Sequence, residues 1–204
     1  MPPIQRAVTT GPIRLPAALL WALSFMAQAQ QVEIRMEGDY PALKDNAEAF
    51  IGEVEGRSGG NLRRYAPTAV DQAKKALRAL GYYSPLITWT VDEGDSEDTA
   101  TLTLTINPGE PVRVTSRVVE IRGAAADDEA FTANLPAHPA EGDILNHGEY
   151  ANLRQTIENR ARRRGYFDGR FETRTLRVDP DRRSAEITLV YVSGERYRLG
   201  DVTF

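Results

Sequence analysis

From residue 31 onward, the apolar positions fall either into short alternating runs or into longer stretches spaced by three and four. Val32, Ile34 and Met36 alternate with charged residues and predict a strand over 32–37, which Gly38 ends. Val70, Ala73, Leu77 and Leu80 share one face of a helix over 71–80, with Gln72, Lys74, Lys75 and Arg78 largely off it. Pro67 suits the first turn of that helix, and Gly81 suits the left-handed residue that closes it. A shorter helix is expected over 42–54. Ile87, Trp89 and Val91 then alternate with threonines, as do Leu102, Leu104 and Ile106. These are two strands, joined through the turn-rich Glu93-Gly94-Asp95-Ser96.

The same order of elements then recurs. Gly38 has its counterpart in Gly123, after Val118-Val119-Glu120-Ile121-Arg122. Gly81-Tyr82-Tyr83 returns as Gly165-Tyr166-Phe167, and Pro108-Gly109-Glu110 as Ser193-Gly194-Glu195, all at an offset of 84 or 85 positions. In the second copy a short helix is expected over 127–135, with Asp127, Asp128 and Glu129 at its positive end. A longer helix carries Tyr150, Leu153, Ile157 and Ala161 on one face and is closed by Gly165. Strands follow over 171–178 and around Ile187, Leu189 and Tyr191, joined by Asp179-Pro180-Asp181. Each copy therefore reads β-α-α-β-β, an α+β unit with two helices on one three-stranded sheet. The copies span 30–109 and 110–195, and residues 196–204 read as the first strand of a third, so the chain reads as a fragment of a longer protein.

The first 29 residues carry Arg6 and Arg14, no acidic residue, an apolar run from Leu15 to Met26, and then Ala27-Gln28-Ala29. That is a secretory signal peptide with cleavage between Ala29 and Gln30, and its apolar run is too short for a transmembrane anchor. Composition narrows the chemistry further. The 204-residue chain has a net charge of −4, which argues against a nucleic acid as main partner. It has no cysteine, which excludes disulfides, thiolate catalysis and cysteine-ligated metals.

Several stretches carry a more specific likeness: Leu77-Arg78-Ala79-Leu80-Gly81-Tyr82-Tyr83-Ser84-Pro85, Leu145-Asn146-His147-Gly148-Glu149-Tyr150, Arg164-Gly165-Tyr166-Phe167-Asp168 and Ser193-Gly194-Glu195-Arg196-Tyr197-Arg198-Leu199-Gly200. With the two-module order, they make residues 30–204 resemble the tandem POTRA domains of the TamA family, in the Omp85 superfamily of outer-membrane assembly and secretion proteins. The resemblance implies a mixed three-stranded sheet in each domain and a periplasmic, non-enzymatic role without a cofactor. It further implies a membrane β-barrel after a third domain, located in the outer membrane. The implied partners are a TamB-like inner-membrane-anchored protein and unfolded autotransporter or other outer-membrane clients. BamA-type or two-partner secretion transporters are the alternative. In POTRA domains the second strand lies at a sheet edge, where a client segment can be added as a further strand. This makes Leu86, Ile87, Thr88, Trp89, Thr90 and Val91 candidate docking residues, and likewise Phe171, Glu172, Thr173 and Arg174. The charges of Arg170, Glu172, Arg174 and Arg177 would blunt the second edge.

Other polar groups point to no chemistry of their own. His138 and His147, the only histidines, lie nine positions apart in a loop-like stretch without metal-ligand spacing. No nucleophile with a matching base is apparent. Asp92, Glu93, Asp95, Glu97 and Asp98 crowd a turn without the ligand order of an EF-hand and read as a solvated loop. Arg160, Arg162, Arg163 and Arg164 read as a solvated, dipole-complementing helix end, with a patch for an acidic partner or lipid head group as the second reading.

Overall fold

The computed structural model describes residues 31–54, 57–94, 100–198 and 200. The expected signal peptide with its Ala29–Gln30 junction, the acidic turn at 95–98, Leu199 and residues 201–204 lie outside the described residues. Ten elements follow in order: β1 (Val32–Met36), α1 (Pro41–Ile51), α2 (Gly59–Ala79), β2 (Leu86–Asp92), β3 (Thr101–Asn107), β4 (Arg113–Arg122), α3 (Glu129–Thr132), α4 (His147–Arg163), β5 (Arg170–Asp179) and β6 (Ser184–Val192). They build two three-stranded sheets, ordered β1-β3-β2 and β4-β6-β5. In each sheet the central strand pairs parallel with the first strand and antiparallel with the second. The fold is α+β, with two mixed sheets and helices on each.

The alternation read from the sequence sets which face is covered. Leu102, Leu104 and Ile106 are fully buried beneath the helices, while Thr101, Thr103 and Thr105 take the other face. Ile187, Leu189 and Tyr191 do the same on β6, against Leu153, Ile157 and Ala161 of α4. Each half thus has its own core. Among the described residues, no helix is long and apolar enough to cross a membrane.

Two helices differ from expectation. α2 starts at Gly59, so Pro67 lies inside it and not in its first turn. Leu62, Ala66 and Ala69 extend the buried stripe toward the N-terminus at the same spacing, and Pro67 falls on the exposed side. Burying that stripe outweighs the hydrogen bond and local fit that an interior proline forfeits, about 3 kcal/mol or more. In the second half, α3 is a single turn. Its Phe131 is fully buried, and the Arg160 guanidinium holds the chain that follows by donating to the carbonyls of Phe131 (2.5 Å), Ala133 and Asn134 (3.1 Å). Asp128 does not cap this turn through its side chain; its carboxylate accepts two bonds from Arg164, at 2.7 and 2.8 Å, and one from the Tyr166 hydroxyl at 3.0 Å. Residues 196–198 and 200 form no ladder, and the rest of the expected third strand lies outside the described residues.

Candidate interaction surfaces

In the first sheet β2 pairs with β3 along all seven residues, Leu86 with Asn107 through Asp92 with Thr101, without a break in register. Its other side carries no partner strand among the described residues. Ile87, Trp89 and Val91 are paired to the buried row of β3 and so share the helix-covered face, whereas Leu86, Thr88 and Thr90 take the open face. Leu86 is 69% exposed and Trp89 41%, so apolar surface lies along this edge. The helix α2 packs on both β2 and β3.

β5 is the corresponding edge of the second sheet, but it is built differently. Its register slips between Phe171 and Thr173, so Glu172 has no opposite number on β6. The Glu172 carboxylate is held at 2.6 Å by Arg122 of β4, and Arg177 pairs with Glu186. Arg170 and Arg174 are exposed, and they line a cleft of about 500 Å³ between α4 and β5 with Glu158, Arg162, Phe171 and Tyr191. Burial pushes the Tyr191 phenol above its ordinary pKa, so it stays protonated there.

The far edge of the second sheet is closed by the chain itself. The Val114 amide donates to the Asp143 carbonyl, Gly142 N–H to the Val114 carbonyl, and Leu145 N–H to the Val112 carbonyl, all at 2.8–2.9 Å. The Glu141 carboxylate accepts from the Arg117 amide. The stretch before α4 therefore covers the first half of β4, which sequence periodicity gave no means of seeing.

The same stretch forms the joint between the halves. Gly81 has φ +92°, and its position closes α2 in the expected way: Gly81 N–H bonds the Arg78 carbonyl and Tyr82 N–H the Leu77 carbonyl. A Cβ on Gly81 would lie 2.5 Å from the Leu145 carbonyl oxygen and 2.9 Å from Ile144, so the glycine is also required by close approach. The Gly81 carbonyl accepts the Val112 N–H at 2.8 Å, starting the second half from the end of the first helix. Side chains are exchanged across this joint. Ile144 packs on the first core and Tyr83 on the second. The Tyr83 hydroxyl lies 2.5 Å from His147 Nε2, and the Arg78 guanidinium sits over the Tyr83 ring at 5.0 Å. Burial, and secondarily the charge of Arg78, hold the His147 imidazole below its ordinary pKa, while burial raises that of Tyr83.

The repeated Gly-Tyr-aromatic corner is thus more than a cap folded onto its own core. Tyr82 and Tyr166 are buried, but the third residue reaches outward. The copies agree in backbone as well: Gly165 has φ +86° and its carbonyl accepts the Tyr197 N–H at 2.8 Å, as Gly81 does from Val112. Phe167, in the place of Tyr83, is 64% exposed and lies against Tyr197. Of the arginine cluster, Arg160 and Arg164 have internal partners, whereas Arg162 and Arg163 are exposed. Among the described residues, one group of side chains has the makings of a metal site: His138, Asp143 and Glu149.

Comparison with known families agrees with this architecture. Residues 33–108 match the model described as POTRA domain TamA domain 1, and residues 114–194 match the POTRA model described as surface antigen variable number repeat. Among solved structures, POTRA3-5 of Haemophilus influenzae BamA is 16% identical with a TM-score of 0.45, covering 82% of this chain and 67% of that one. The N-terminal domain of Omp85 from Thermosynechococcus elongatus is 22% identical with a TM-score of 0.37, covering 78% and 60%. POTRA1-3 of Omp85 from Anabaena is 16% identical with a TM-score of 0.36, covering 79% and 59%. The chain thus spans about two thirds or less of these relatives. Two consecutive family matches over most of the chain, on two sheets of the same topology, show that it belongs to the POTRA domain family, with its first half matching the TamA domain 1 model.

Proposed function

We propose that this tandem is the periplasmic receiving part of an outer-membrane assembly or translocation protein. It takes extended segments of autotransporters and other β-barrel clients onto β2, with β5 as a lesser second edge. The observation that carries the reading is the β2 ladder, seven residues in unbroken register with exposed apolar side chains and no partner strand on its outer side among the described residues. Backbone pairing reads little side-chain identity, which suits many clients, and Leu86 and Trp89 offer the apolar contacts that alternate client side chains need. In this reading residues 1–29 are the export signal, 30–109 and 110–195 are the two domains, and 196–204 open a third. The role is non-enzymatic, and a TamB-like inner-membrane-anchored protein is the partner on the far side of the periplasm. The first family match favours the TamA type over BamA-type or two-partner secretion transporters.

Amide hydrogen exchange tests the edge without altering the chain. Adding a urea-unfolded outer-membrane β-barrel polypeptide should slow exchange at 86–92 markedly more than at 170–174. Thr88→Pro should weaken binding of the labelled client about tenfold, or ~1.4 kcal/mol, while circular dichroism stays unchanged. Client binding with no added protection at 86–92 would overturn the assignment of β2.

A further inference from the structure

We propose that His138, Asp143 and Glu149 form a divalent-metal site of zinc type beside the joint between the two halves. His138 Nδ1 lies 2.6 Å from Asp143 Oδ2, and one ligand atom from each of the three residues falls within 4.8 Å of the others. Zinc bonds nitrogen and carboxylate oxygen at roughly 2.0–2.2 Å, so its ligands stand about 3–3.5 Å apart in a tetrahedral shell. All three side chains are at least partly exposed, so they are able to rotate toward that range. A second observation gives the ion room: the three line one open cavity of about 350 Å³, with Leu80, Ile144 and Asn146 as its other walls.

The framework around the donors is already fixed. Asp143 Oδ2 also accepts the Ala140 N–H at 2.7 Å, which holds the carboxylate in place and leaves Oδ1 available. Asn146 caps α4 by accepting from Gly148 and Glu149, so Glu149 is presented from a formed first turn. One imidazole and two carboxylates leave a fourth position for water, a donor set suited to zinc. The chain has no cysteine to compete, and its other histidine already faces the Tyr83 hydroxyl. Spacing along the sequence did not reveal the site because only the fold brings Glu149, in the first turn of α4, near the 138–143 loop. A bound ion would tie that loop to α4 on either side of Ile144 and Leu145, the residues that meet Gly81.

The test is zinc titration of the tag-free full chain by calorimetry, with magnesium as the comparison ion. The site predicts one zinc per chain and no matching magnesium isotherm. It also predicts at least a tenfold loss of affinity in His138→Ala and Glu149→Gln, with zinc affinity retained in His147→Gln. His138 is 65% exposed on its side chain, so its truncation leaves the fold intact. In the unaltered chain, zinc should shift the NMR amide signals of 138–149 before any others. Absence of zinc binding, equal affinity in His138→Ala, or first shifts elsewhere would overturn the proposal.

Discussion

The two halves share a topology but fill it with different residues. In the first, α1 and α2 lay Ala47, Ala66, Ala69, Ala73 and Ala76 over an aliphatic sheet face, all fully buried. Small side chains let two long helices sit close together and close to the sheet. In the second, the first helix has shrunk to one turn, and aromatic rings take up the volume. Phe131 packs edge-on against Tyr166 at 5.6 Å and in stacked orientation with Tyr191 at 6.3 Å. One β-α-α-β-β framework therefore accepts either helix backbone or side chain as filler, provided the space is filled to normal density. The edges differ in the same way. The β2 ladder is regular and partly apolar, whereas β5 is bulged at Glu172 and lined with arginines. Those are the devices that keep a sheet edge from pairing, so the proposed client capture would fall mainly on the first half.

The largest effect should come from removing the aromatic filler. Phe131→Ala should cost the second half about 3–5 kcal/mol, because the rings around it are held by other contacts and cannot fully collapse. Within residues 30–204 Trp89 is the only tryptophan, so in a chain of those residues its fluorescence reports the first half. Far-ultraviolet dichroism should lose an early component in this variant while the Trp89 transition persists. A single shared transition would mean that the joint makes the halves one cooperative unit.

Next in size is the joint. Gly81→Ala places a side chain at positive φ and against the Leu145 carbonyl, for about 1–3 kcal/mol. The halves should part, and His147, freed from burial and from Arg78, should titrate closer to an ordinary histidine by NMR. A His147 titration unchanged in this variant would show that the joint tolerates the side chain.

Smallest is a pH effect confined to the second half. Hydrogen bonding from Arg164, and then from Tyr166, holds the Asp128 carboxyl below its ordinary pKa despite the opposing effect of burial. A depressed folded-state pKa contributes stability at pH above the unfolded value, near 3.9, and that contribution is lost as pH falls through the folded value. Urea midpoints should therefore fall more steeply below about pH 4 in the unaltered chain than in Asp128→Asn. Equal slopes would show that Asp128 carries none of the acid sensitivity.

The repeat, the strand faces and the helix-closing glycines were legible in the sequence because each depends on local spacing. Leu102, Leu104 and Ile106 alternate with threonine, and only one face of such a strand can be covered. Gly81 and Gly165 stand where a helix stripe ends, and both take the left-handed conformation. The first half of α2 escaped detection because its stripe is mostly alanine, which carries little hydrophobic contrast, and because Pro67 looked like a start. The nine-residue separation of His138 and His147 was a poor guide to either residue. His147 faces Tyr83 across the joint, whereas His138 pairs with Asp143 and has Glu149 nearby.

By itself, then, the sequence determined the number of modules, their order of elements and the inward face of each strand. Periodicity and glycine stereochemistry act between near neighbours, so the chain needs no distant partner to express them. Only the tertiary structure decided that Tyr83 and Ile144 exchange cores, that residues 140–145 cover the first half of the β4 edge, and that β2 meets no outer partner strand among the described residues. Those outcomes depend on which backbone groups and apolar surfaces find partners once the two sheets are assembled. Residues far apart in the chain settle that competition, and no local pattern records its result.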